Sequence, residues 1–247
     1  MLSVLLALAL SAAEGVYRVE ATAAETERLL TGDEEWRPAG RLSFGPSSYR
    51  THFRALWSGA GIYLRFDVVD PDPWHTMTKR DQHLWEEEVV EIFLDLDGSG
   101  THYAEIELSP ANVVSDVRMI RASPDKEMDL AFDLEGLRSR VVLRKDSGWT
   151  GVLFVPWEAF RPLPSARNVS LPPKAGDRFR FNLYRIERPG GRKRPGRGSD
   201  LRLLVPHRRG QLSRSVIVSD PGVRPLTIGA LVHGLASTAS ARARSDG

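Results

Sequence analysis

Three polar side chains in β-type segments have the chemistry to bind a ligand rich in hydroxyl groups. Glu91 lies inside the apolar run V-V-E-I-F-L, Glu107 lies in the alternating segment 103–109, and Asn182 lies in segment 178–186. Successive side chains of a strand point to opposite faces, so the alternation places all three on non-core faces. Two carboxylates and an amide offer the acceptors and donors that vicinal hydroxyl groups need.

A flat apolar ring would complete such a site. Trp85 and Trp74 lie in the charged loop before the Glu91 segment and are the nearest candidates. Each candidate has an alternative explanation: Trp85 could anchor the loop in the core, and Glu91 could form an ion pair with Arg180 or Arg185.

The segments that carry these residues predict an all-β fold. Between residues 51 and 187, eight or more short runs alternate with period two, turn signals separate them, and no helix-period run of useful length intervenes. This pattern is typical of an antiparallel two-sheet β-sandwich, jelly-roll or immunoglobulin-like, with short helical turns only. One such turn is expected at Pro156, and segment 51–68 is expected to form a hairpin with one buried face.

Charge and hydropathy divide the chain into three parts. Residues 1–13 are apolar and small and end in Ser11-Ala12-Ala13, the pattern of a signal peptide cleaved before Glu14. Residues 14–187 form the predicted sandwich, and residues 1–187 carry 22 Lys and Arg against 29 Asp and Glu. Residues 188–247 form a tail that carries 12 Lys and Arg against 3 Asp and Glu.

Composition limits the possible functions. The chain has no cysteine, which excludes disulfides, thiolate metal sites and cysteine catalysis. Its N-terminal apolar run is too short to span a membrane. The basic tail contains no Phe, Tyr or Trp, so a nucleic-acid partner is not expected. We expect an exported protein, periplasmic or extracellular, whose oligomeric state stays open.

Four motifs give the chain a family resemblance. K-R-D-x-x-L-W-E-E-E-V-V-E-I-F-L-D-L-D-G (79–98), Y-A-E-I-E-L-S-P (103–110), G-W-T-G-V-L-F-V-P-W (148–157) and F-N-L-Y-R-I-E (181–187) occur in this order. Together they resemble the family 9 carbohydrate-binding modules and the wider DOMON-like group over residues 36–187. The resemblance implies a β-sandwich that binds a poly- or oligosaccharide without catalysis, as an accessory to polysaccharide breakdown.

The resemblance also implies roles for particular residues. Trp85 matches the sugar-stacking tryptophan, Glu91 the acid on the following strand, and Asn182 an amide position near the end of the domain. Glu107 and Ser109 match polar positions on the next strand. Arg185 and Trp74 complete the predicted binding set. Sugar-binding members can carry a basic residue where this chain has Glu107, so the sugar stays open.

The tail departs from the family pattern. Members close with a W-S-P-like turn and a strand after an F-H pair, whereas residues 200–216 read D-L-R-L-L-V-P-H-R-R-G-Q-L-S-R-S-V. With suitable synonymous codons, a shift by one nucleotide turns this stretch into T-Y-A-C-W-S-P-T-G-G-D-N-F-H-V-P. We therefore predict a frame shift within 190–198, a tail without selected structure, and an unpaired sheet edge beside residues 179–186.

Other chemistries fit the sequence less well. Asp95 and Asp97 imitate the start of a calcium loop but lack its closing glutamate, so a plain turn is favoured and no cofactor is expected. Glu91 and Glu107 could form a glycosidase pair, but a solvent-facing sheet is not expected to raise the pKa of either. A secreted protein-interaction domain is a further alternative, as is a DOMON-like haem-binding redox domain. The possible haem ligands are His52, His75, His83, His102, Met77 and Met119.

Overall fold

Short strands account for most of the regular structure. The structure is a computed structural model that describes residues 16–122 and 125–188 and the backbone of residues 202–204 and 214–219. The strands are β1 (Val16–Ala21), β2 (Leu42–Phe44), β3 (Thr51–Trp57), β4 (Gly61–Val69), β5 (Val89–Asp95), β6 (Thr101–Leu108), β7 (Val114–Arg121), β8 (Glu127–Asp129), β9 (Arg138–Arg144), β10 (Gly148–Pro156), β11 (Arg178–Glu187), β12 (Arg202–Leu204) and β13 (Arg214–Ser219).

Helical structure is limited to short pieces. One α-helix, α1 (Thr26–Thr31), follows β1. The 3-10 turns of the described ranges are Glu34–Trp36, Ser47–Tyr49, Leu84–Glu86, Trp157–Phe160 and Pro164–Asn168. The turn expected after Pro156 is therefore present. None of the described helices has the length and hydropathy to cross a membrane.

The strands form two packed layers. The first sheet has the order β8-β7-β6-β5-β11, and the second has the order β1-β3-β4-β10-β9 with β2 paired to β3. Strand β13 pairs with β11 and with β1, so it joins the layers at one edge. The predicted antiparallel sandwich is confirmed, with β1 as an exception that runs parallel to both β3 and β13.

The core lies between the layers and uses every second residue of the strands. These alternate residues are Ile62, Leu64, Phe66 and Val68 in β4 and Val90, Ile92 and Leu94 in β5. The Phe53 ring lies 5.1 Å from the Phe66 ring and 5.9 Å from the Phe181 ring. Because Phe53 and Phe181 belong to different sheets, this aromatic contact ties the layers together.

The outer face of the second sheet is also covered, which the sequence patterns did not predict. Leu29 of α1 and Trp36 pack against Tyr63 and Phe154 on this face. The Trp36 indole N–H donates a hydrogen bond of 2.9 Å to the carbonyl oxygen of Leu29. The hairpin of β3 and β4 therefore has both faces packed, and the candidate site belongs to the other sheet.

The prediction of an unpaired edge beside β11 is wrong for the backbone. Residues Arg202–Leu204 pair with Arg185–Glu187, and Arg214–Ile217 pair with Arg178–Phe181. An open strand edge offers unsatisfied N–H and C=O groups, and the nearby runs L-R-L-L-V and S-V-I-V have high β propensity. The side chains of β12 and β13, the rest of the tail and residues 1–13 lie outside the described residues. The frame shift stays a prediction about the gene sequence.

Gly148 provides a test of the β4–β10 pairing. Its φ is +127°, a conformation that L side chains rarely adopt, and a Cβ there would overlap the carbonyl oxygen of Val68. We expect Gly148→Ala to lower the free energy of unfolding by about 2–4 kcal/mol in urea denaturation. Gly59→Ala, where a Cβ meets open space, should change it by less than about 0.5 kcal/mol. Equal stability of the two variants would contradict the described pairing.

Candidate ligand-binding site

The outer face of the first sheet brings the predicted acids together. Glu91 on β5 lies directly opposite Glu107 on β6, and on its other side it lies opposite Tyr184 on β11. One step along the same face, Phe93 lies between Glu105 and Asn182. The strands thus place three carboxyl groups and an amide in two adjacent rows.

Trp85 borders the row that contains Glu91. It lies in the 3-10 turn Leu84–Glu86 and packs, half-buried, against a cluster that includes Val89 and Ile186. Val89 and Ile186 are themselves opposite each other, two residues from Glu91 and Tyr184. The imidazole of His83 stacks on the Trp85 ring with centroids 4.4 Å apart and 21° between the planes. Trp85 is therefore held by its packing against this cluster, while part of its ring stays exposed to solvent.

Three carboxyl oxygens on this face are buried without a hydrogen-bond partner among the described residues. Glu107 has no exposed surface, and neither of its carboxyl oxygens accepts a hydrogen bond in the structure. The backbone N–H of Trp85 lies near it and lowers its pKa, but not in hydrogen-bonding geometry. The Oε2 atom of Glu105 is likewise unpartnered. Such groups are unfavourable unless they are protonated or meet a ligand.

Burial raises the pKa values of all three acids, and repulsion from neighbouring carboxylates adds to this effect for Glu91 and Glu107. Burial, together with the Glu105 carboxylate, raises the pKa of Glu91 to about 8. Burial raises the pKa of Glu105 to about 7, against the opposing effect of Lys126. The pKa of Glu107 is well above its usual value because of burial and the charges of Glu91 and Glu105. The expectation that nothing on this sheet raises a carboxyl pKa is therefore wrong.

Asn182 lies on the same face. Its amide nitrogen donates a hydrogen bond of 2.6 Å to the hydroxyl oxygen of Tyr184. The Tyr184 ring in turn meets the Phe93 ring edge-on, with centroids 5.1 Å apart. Trp85, Glu91, Glu107 and Asn182 are thus brought to one surface by three strands and the preceding turn.

Ser109 has a structural position next to this group. It is buried at the end of β6, where its hydroxyl oxygen accepts a hydrogen bond of 3.2 Å from the backbone N–H of Val113. Its backbone N–H donates to the Val113 carbonyl. In this structure Ser109 closes the turn between β6 and β7.

Arg185 is not brought to the outer face. It lies three residues from Asn182 on β11, and residues an odd number apart on a strand face opposite sides. Its guanidinium is buried and donates to the carbonyl oxygens of Tyr49 and Val69. It also pairs with Asp70, at 3.1 Å, and with Glu187. No described ion pair joins Glu91 to Arg185 or Arg180, so that alternative for Glu91 is not seen in the described ranges.

Trp74 is held by a buried ionic network, called here the Arg185 network, which consists of Arg185, Asp70, Glu187 and Glu88. Its backbone N–H donates a hydrogen bond of 2.7 Å to Glu88, whose carboxyl group is close to those of Asp70 and Glu187. Burial and the neighbouring Glu187 raise the pKa of Glu88 to about 9. This buried network fixes the segment that carries Trp74 and Trp85 between β4 and β5.

The carboxylates of the two candidate calcium ligands, Asp95 and Asp97, accept hydrogen bonds from the turn that follows β5. Asp95 accepts hydrogen bonds of 3.0 Å from the backbone N–H groups of Gly98 and Gly100. Asp97 accepts from the backbone N–H of Ser99 and from Asn168. These contacts agree with a strand-ending turn. Among the described residues, two acid clusters are close enough to hold a metal ion, and neither includes Asp95 or Asp97. They are Asp70, Glu88 and Glu187, and Asp81, Asp116 and Asp133.

Several residues of this face were not in the predicted set. Glu105 and Tyr184 share the alternation of Glu107 and Asn182, so period two alone is enough to include them. Phe93 follows from the same rule. The contact of His83 with Trp85 depends on the 3-10 turn and has no periodic signal in the sequence.

The fold and this face define a β-sandwich binding module. Residues 33–158 match the carbohydrate family 9 binding domain-like family, which is half of the chain, and the chain belongs to that family. It is a carbohydrate-binding domain of a family whose modules are non-catalytic. No curated protein is significantly similar in sequence.

Solved structures share the fold. A family 9 carbohydrate-binding module from Caldicellulosiruptor kristjanssonii, in complex with cellotriose, has a TM-score of 0.53 and 11% identity, and the match covers 92% of this chain and 98% of that one. A Bacteroides uniformis protein proposed to bind carbohydrate has a TM-score of 0.56 and 14% identity, and the match covers 87% and 99%. At these identities the similarity concerns the fold alone.

The raised acid pKa values predict a stability that depends on pH. Between the ordinary glutamate pKa and about 8, the folded state keeps a proton on Glu91 that the unfolded state loses. The free energy of unfolding should therefore fall as the pH rises through this window. At pH 8, Glu91→Gln should raise it relative to the parent by on the order of a few kcal/mol.

Denaturant titration across pH 4.5–8.5 checks this prediction. Glu135→Gln, at an exposed position between β8 and β9, is the matched control and should follow the parent curve. If Glu91→Gln and the parent keep the same difference at every pH, the carboxyl group of Glu91 is ionised throughout and the prediction fails.

Proposed function

We propose that this chain is an exported carbohydrate-binding module that holds a poly- or oligosaccharide on the outer face of β6, β5 and β11. The observation that carries the proposal is the position of Trp85 beside the row formed by Glu107, Glu91 and Tyr184. A ring contributes apolar area that tolerates several sugar orientations. The carboxyl, phenol and amide groups beside it select the hydroxyl pattern.

The proposed role is to bring a polysaccharide and a degrading activity together. A module of this kind does no chemistry itself, and its contribution is to keep the sugar chain near a catalytic partner. The network of Arg185 supports the site from the core side, because it fixes the segment from Asp70 to Glu88 in which Trp85 lies.

Trp85 supplies the direct test. Trp85→Ala should weaken binding to insoluble or gel-embedded polysaccharide at least about tenfold, because stacked rings dominate such contacts. Affinity electrophoresis over a panel of glycans measures the effect. Leu143→Ala removes an exposed apolar side chain on β9, outside this face, and should bind as the parent does. If Trp85→Ala keeps its circular dichroism spectrum and binds like the parent, the site lies elsewhere.

Export gives a separate prediction. We expect the mature chain to begin at Glu14, since Ser11 and Ala13 are the small residues that a signal peptidase requires. Intact-mass measurement of secreted protein should show the loss of residues 1–13. Ala13→Trp should block cleavage, and secreted material that begins at Met1 would disprove the assignment.

A further inference from the structure

The outer face carries an excess of acidic groups. Glu91, Glu105 and Glu107 are each less than a tenth exposed, and they lie at adjacent positions of two neighbouring strands. Like charges directly opposite each other on a sheet are destabilising. Three of their carboxyl oxygens, both of Glu107 and one of Glu105, have no hydrogen-bond partner.

The described groups around these acids do not balance their charge. Lys126 attracts all three electrostatically, but it is exposed and forms no ion pair with them in the described ranges. Arg180 lies opposite Asp95 at the other end of the face. Tyr103 and Tyr184 also lie on this face, and burial raises the pKa of both, that of Tyr184 to about 12, so they stay neutral.

A single metal ion does not fit this arrangement. A cation needs ligand oxygens within a few ångströms of one another. Among the described residues, the clusters that meet a 4.8 Å limit are the two groups named above, and the outer-face acids are not one of them. Their oxygens are spread over two rows, as suits a ligand with several donors.

We propose that this face selects a sugar that carries a protonated amino group. An ammonium group has three donors and no acceptor, so it can donate to unpartnered carboxyl oxygens of this face. Its charge also offsets the repulsion between Glu91 and Glu107. The amino group lies at the acids while the sugar ring contacts Trp85. This inference rests on the proposed function and specifies its ligand as an amino sugar.

Binding requires a small rearrangement of side chains. The acids are buried, whereas Tyr184 and Met128 on the same patch are half-buried. For the proposed binding, these side chains must rotate so that a ligand can reach the carboxyl groups. Before binding, the acids are partly protonated. Next to a bound ammonium group they are ionised, so binding should release protons to the buffer.

Isothermal titration calorimetry of the intact chain at pH 7 tests the proposal. The probes are glucosamine tetramer, its N-acetylated form and cellotetraose, which match in length. We expect glucosamine tetramer to bind at least about tenfold more tightly than cellotetraose. Its affinity should fall in about 0.5 M NaCl, and its apparent enthalpy should change with the ionisation enthalpy of the buffer.

Variants separate the possible results. Glu107→Gln and Glu105→Gln should each remove the preference and the proton release, and Glu135→Gln should change neither. Equal or tighter binding of cellotetraose by the parent overturns the inference and leaves the proposed function standing. Absence of binding to all three probes overturns both. A preference for glucosamine tetramer that both Gln variants retain would show that other acids recognise the amine, and it also overturns the inference.

Discussion

The register of β5 is the constraint on which the site depends. Ile92 lies opposite Ile106 on β6 and opposite Leu183 on β11, so the apolar side chains of three strands point into the same core. A slip by one residue would move Glu91 into that core and expose its apolar neighbours, at a large cost in free energy. The same pairing that fills the core therefore places the carboxyl groups of Glu91 and Glu107 side by side on the outer face.

A second constraint holds the aromatic part of the site. The Arg185 guanidinium, buried at the core side of β11, binds the carbonyl oxygen of Val69 and the carboxyl groups of Asp70 and Glu187. Glu88, which completes the cluster, accepts from the backbone of Trp74. Because Trp85 lies between Asp70 and Glu88 in the chain, its position depends on this network. Loss of a buried charge from such a group leaves its partners uncompensated.

Period two was enough to predict the strands, the core residues of β4 and β11 and the polar face of β6, because backbone geometry alone sets which residues share a face. The same rule places Arg185 and Asn182 on different faces of the sheet. For Arg185, the alternation of side chains along β11 was therefore a better guide than the family resemblance, which put it in the binding set. The packing of α1 on the outer face of the second sheet could not be predicted, since a six-residue helix shows too little periodicity. The pairing of β12 and β13 with β11 was not predicted, because an open strand edge can pair with a segment that departs from the family pattern.

Buried acids with raised pKa values often indicate catalysis, yet here they lie in a family of non-catalytic modules. The physical difference lies in what surrounds them. The general acid of a glycosidase works with a second carboxylate across the scissile bond, with the substrate between the two. Glu91 and Glu107 are instead neighbours on adjacent strands, so both carboxyl groups lie on the same side of the sheet. The unpaired oxygens of Glu107 raise the free energy of this face, and a ligand that supplied donors to them would recover this free energy as binding affinity.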